Sequence, residues 1–143
     1  MIKFKVFAGL FFLICGMSQS NAQTYKFLTT GFSVLEKDEK GNWGNWSDLQ
    51  DASLVVTLDT KKDRIIVYSQ EIQLYKIVEY QAEQETEEDR TYPFTCASED
   101  GEPVMISIIT RKKQNNRKQL YIAHKNVILV YNIITYIEKN DKG

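Results

Sequence analysis

Short runs rich in β-branched and aromatic residues, each cut off by a few polar turn formers, recur from Thr24 almost to the C-terminus. They are short and carry no 3.6-residue apolar period, so they read as strands. Eight are expected: Thr24–Glu36, Ala52–Leu58, Arg64–Ser69, Ile72–Tyr80, Thr91–Ala97, Pro103–Thr110, Lys118–Ala123 and Val127–Ile137. Between them, Asp59-Thr60-Lys61-Lys62-Asp63 and Glu99-Asp100-Gly101-Glu102 have turn chemistry, as do Asn115-Asn116 and His124-Lys125-Asn126. Strands joined by such short loops are antiparallel neighbours, because a parallel crossover needs a dozen or more residues. The expected fold is therefore all-β, an up-and-down meander. Eight strands suffice to close a small barrel and remove both sheet edges, with a two-sheet sandwich as the alternative.

The chain of 143 residues, 43% hydrophobic and 26% charged, suits one domain. Its first 22 residues place Lys3 and Lys5 before the apolar run Val6–Cys15 and the small, polar stretch Gly16–Ala22, the order of a secretory signal peptide. The apolar run is shorter than the roughly 20 residues of a membrane-spanning helix, so cleavage before Gln23 and no stable membrane anchor are expected. The mature domain is then 23–143, exported to the periplasm or beyond. Losing Lys3 and Lys5 leaves 16 basic against 19 acidic side chains, which does not favour nucleic acid as a partner. Cys96 becomes the sole mature thiol, read as buried and inert.

In a meander successive loops alternate between the two ends. Loops 59–63, 81–90 and 111–117 share one end, and 37–51, 70–71, 98–102 and 124–126 the other. The acidic run Glu83, Glu85, Glu87, Glu88 and Asp89 thereby meets the basic run Arg111, Lys112, Lys113 and Arg117, an exposed pairing that tethers loops. The acidic run lacks the glycine of an EF-hand loop, and no metal is called for. The other end carries Trp43 and Trp46 in the longest loop. Two readings stand for this pair: rings that close off the barrel end and complete the core, or a platform for a ligand.

Nothing marks an enzyme. His124 is the only histidine and reads as a solvated hairpin residue. No Gly-x-Ser-x-Gly turn or phosphate-cradling glycine loop is present, and Asp48 or Asp51 near the tryptophans has too little around it to argue glycoside cleavage. No cofactor is expected.

The length, the strand count and the export signal together resemble the lipocalin-like (calycin) small secreted β-barrels. Gly41-Asn42-Trp43 and Gly44-Asn45-Trp46 are similar to the Gly-x-Trp element of that group, although here the element follows a predicted strand. The chain also resembles short uncharacterised periplasmic proteins of bacteria, which imply no activity. The resulting expectation is a non-enzymatic binding protein for a small apolar or amphipathic ligand, with Trp43, Trp46, Tyr68, Tyr75, Tyr80, Tyr121 and Tyr131 as candidate ligand-binding residues. The alternative is an interaction module for a cell-envelope protein, without a small ligand, acting through loop 37–51 or a strand edge.

Overall fold

The computed structural model describes residues 23–136. The expected signal segment 1–22 and the last residue of the expected final strand, Ile137, lie outside the described residues. Ten strands follow one another: β1 Thr24–Glu36, β2 Gln50–Asp51, β3 Val55–Asp59, β4 Arg64–Val67, β5 Gln73–Tyr80, β6 Gln84–Glu85, β7 Asp89–Ala97, β8 Pro103–Arg111, β9 Arg117–Ala123 and β10 Val127–Thr135. No helix occurs among the described residues. Eight strands form a closed antiparallel barrel in the order β1-β3-β4-β5-β7-β8-β9-β10, sealed by β10 against β1 from Phe27↔Thr135 to Glu36↔Val127. That seal excludes the two-sheet sandwich.

The two additional strands complete edges that the barrel's stagger leaves open. β3 covers β1 from Thr24 to Leu28. Further along the same edge the returning chain takes over, with Gly31↔Asp51 and Phe32↔Gln50 paired and with Ser47 N donating to Val34 O and Gly44 N to Glu36 O. Thr29 seals the junction: its Oγ1 donates to Ala52 O and accepts from Leu54 N, both at 2.8 Å. β6 likewise pairs with β7 at Arg90 and Thr91, beyond the reach of β5.

A bulge between Thr29 and Gly31 lets β1 keep Tyr25, Phe27 and Thr29, then Phe32 and Val34, on the inner side. The waist of the barrel is filled, with Val67, Ile106 and Ile122 at 0% exposure and Leu120 at 1%. Each such side chain contributes roughly 1.5–3 kcal/mol by leaving water. Along β10 the expected alternation holds, with Tyr131 and Ile133 inside. Val130 faces out yet is buried, in a cross-strand row between Ser33 and Tyr121. Val78 of β5, and Ile72 just before that strand, are exposed instead.

The loops sort by parity. At one end, the charged pole, Lys112 N bonds Glu88 O, and Tyr80 Oη bonds Asp63 Oδ1 at 2.7 Å. At the opposite pole Lys37 N bonds Asn126 O.

Candidate functional site

The packed waist separates two mouths of different chemistry. At the opposite pole the interior ends in a polar cluster built by inward positions of β5, β9 and β10. Tyr75 Oη donates to Gln73 Oε1 at 2.8 Å and lies 3.2 Å from His124 Nε2. Gln73 Nε2 in turn donates to Ser69 Oγ and to Tyr131 Oη. Burial, reinforced by Tyr131 and Cys96 nearby, pushes the Tyr75 phenol up to about 12. His124 is therefore a half-buried member of this plug and not the solvated hairpin residue expected. One residue past Ala123, strand alternation carries it inward. A shallow recess above the cluster is lined by Glu102, Lys125 and Leu129.

At the charged pole the interior ends differently. Inward positions near the strand ends form a recess of about 640 Å³, within the roughly 300–1,000 Å³ usual for small-molecule sites. Its walls are Tyr25, Phe27, Leu58, Tyr92, Phe94 and Ile108, while Arg90, Thr110, Asn116 and Lys118 border it. The register explains the grouping: Tyr25 faces Leu58, Tyr92 faces Ile108, and Arg90, Thr110 and Lys118 form one cross-strand row. Phe94 and Ile108 are buried, whereas Tyr25 and Tyr92 are 43% and 39% exposed. The recess is thus an apolar throat closed by the waist and lipped by aromatic rings.

Around its lip the expected meeting of charges occurs. Arg90 lies 3.1 Å from Glu83 and 3.2 Å from Glu85, and Lys112 Nζ reaches Glu85 at 2.7 Å. Hydrogen bonds from Lys112 and Arg90 hold the Glu85 carboxyl below its ordinary range. On the outer wall Arg111 bonds Asp89 at 2.9 Å, Gln119 at 2.9 Å and Tyr121 Oη at 3.2 Å.

The seven residues singled out in the sequence are not brought together. Tyr75 and Tyr131 are inside, at the polar plug. Tyr80 is at the charged pole, its ring edge-on to Phe94 at 5.8 Å, and its phenol is raised by burial and the Asp63 bond. Tyr121 stands on the outer wall, where Trp46 meets it edge-on at 6.3 Å. Trp43 lies under Lys37 Nζ, 5.0 Å from the ring centre. Tyr68 is exposed. Both tryptophans are 43% exposed, so neither completes the core. The cause is the edge pairing of 44–51, which lays the loop along β1 instead of across the barrel end.

Cys96 is buried, and its thiol is pushed up to about 12 by desolvation, which keeps it protonated and inert. Among the described residues no three His, Cys, Asp or Glu side chains are grouped to hold a metal.

Fold and mouth define a closed eight-stranded antiparallel barrel with an apolar recess at one end. No protein-family model matches the chain, and no curated protein or solved structure matches it.

Proposed function

We propose that this barrel is an exported, non-enzymatic binding protein that holds a small amphipathic molecule in the mouth at the charged pole. The observation that carries the reading is the recess of about 640 Å³ walled by Tyr25, Phe27, Leu58, Tyr92, Phe94 and Ile108. Apolar walls with a few polar groups at the border are the usual makeup of a small-ligand site. The closed eight-stranded architecture is consistent with kinship to the lipocalin-like (calycin) barrels, which we propose as the finer class. The ligand site in this reading is at the pole away from Trp43 and Trp46, with Tyr80 the one sequence candidate beside it.

A second reading, an interaction module for an envelope protein, is favoured by Trp43, Trp46 and the 64%-exposed Leu49 on one segment. Native mass spectrometry of protein purified from its own cells tests both. A retained small molecule, lost when Ile108→Trp fills the recess, supports the binding protein. A copurifying protein lost on Trp46→Ala, with an empty barrel, supports the module and overturns the first reading.

A further inference from the structure

Among the cations of the charged pole, Lys118 is placed unlike its neighbours. Arg90 is held by Glu83 and Glu85, Lys112 by Glu85, Arg111 by Asp89, and Lys113 lies 4.0 Å from Glu88. Arg117 is turned away to Gln114 and Asn132. Lys118 faces inward from β9, half-buried at the border of the recess, and its Nζ meets only the Thr110 hydroxyl, at 3.3 Å, among the described residues. An ammonium carries three donors, and a partly desolvated one without a counter-charge is unfavourable. Among the described residues no carboxylate pairs with it: Glu83, Glu85, Glu88 and Asp89 are engaged with other cations on the lip or the outer wall.

We infer that the molecule held in this recess is an amphipathic monoanion, a single-chain carboxylate whose apolar part lies against Phe27, Phe94 and Ile108 and whose head group meets Lys118. This rests on the ligand-binding reading above and adds the charge and class of the ligand. Of the two cations that border the recess, Lys118 alone lacks a counter-charge among the described residues, which matches one negative charge. A head group with two charges would call on a second cation, and Arg90 is committed to two glutamates. Thr110 and Asn116 border the same point and offer neutral hydrogen bonds to a carboxylate. The filled waist ends the recess, so a single short chain fits the shape better than a molecule that must thread the barrel.

Isothermal titration calorimetry with decanoate, decanol and decyltrimethylammonium, each below its aggregation concentration, tests this on the wild type, Lys118→Met and Lys118→Arg. Circular dichroism confirms that the variants fold. Wild type and Lys118→Arg are expected to bind decanoate at least about tenfold more tightly than decanol, with the cation weakest. Lys118→Met is expected to lose that preference, binding decanoate no more tightly than decanol. Equal affinity for decanoate and decanol on the wild type, or a decanoate affinity untouched by Lys118→Met, overturns the inference and leaves the binding protein standing. Heat from none of the three probes overturns the binding reading, and the inference with it.

Discussion

The phenolic oxygen of Tyr75 lies 3.2 Å from Nε2 of His124, although 49 residues separate them in the chain. The single phenolic proton goes to Gln73 Oε1, because the Gln73 amide nitrogen faces Ser69 and Tyr131. His124 must then supply the proton of its own contact, from Nε2. Tyr75→Phe removes the donor to Gln73 and the acceptor for His124 inside a buried cluster. It is expected to lower the unfolding free energy by about 1–3 kcal/mol, read as a lower urea midpoint at unchanged slope. A variant as stable as the parent would show that the cluster is not closed.

Alkaline pH is expected to destabilise the barrel through two buried groups. In the unfolded chain a thiol and a phenol lose their protons near their ordinary values, about 8.5 and 10. In the folded protein Cys96 and Tyr75 keep theirs up to about 12, both chiefly because of burial. Their contribution is complete below the ordinary values and is lost as pH rises toward the folded ones. The urea midpoint should fall between about pH 9 and 11, and Cys96→Ala should flatten the first part of that fall. At neutral pH the native thiol should resist a thiol reagent until urea unfolds the protein.

Glu85 ties β6 to the basic loop through Lys112 and Arg90. With its carboxyl lowered by those two partners, the tie is present above the ordinary glutamate range and lost as pH falls through the folded value. The group is exposed, so salt screens it. Glu85→Gln should speed hydrogen exchange at the amides of Gln84 and Thr91, which pair across β6 and β7, in low salt, and high salt should narrow the difference between variant and parent.

Asn115 and Asn116 both have φ near 59°, and the turn between β8 and β9 depends on it. Asn116→Val is expected to cost about 1–2 kcal/mol, the usual penalty of a left-handed residue with a Cβ branch, while Asn116→Gly should cost little. Thermal unfolding of the pair measures this.

The strand order and the sorting of loops to poles are legible in the sequence because turn chemistry and connection length dictate antiparallel neighbours. Thr24–Glu36 is an expected strand that the structure matches residue for residue. β2 and β6 are not legible, since Gln50–Asp51 and Gln84–Glu85 carry no strand signal and pair only because the stagger exposes an edge. Residue type alone points to tyrosines and tryptophans as the candidate site. Type does not say which face of a strand a ring occupies, and so Tyr121 and Tyr75 fall on opposite sides of the wall. The signal that finds the recess is alternation followed to the strand ends at one pole: Arg90, Tyr92 and Phe94 on β7, Ile108 and Thr110 on β8, and Lys118 on β9.

The placement of the ligand site is tested most directly by two-dimensional NMR of the isotopically labelled protein titrated with decanoate. The account predicts shift changes concentrated at Tyr25, Tyr92, Thr110 and Lys118, with the indole signals of Trp43 and Trp46 unmoved. Changes centred on the two indoles, with the charged pole silent, would contradict it.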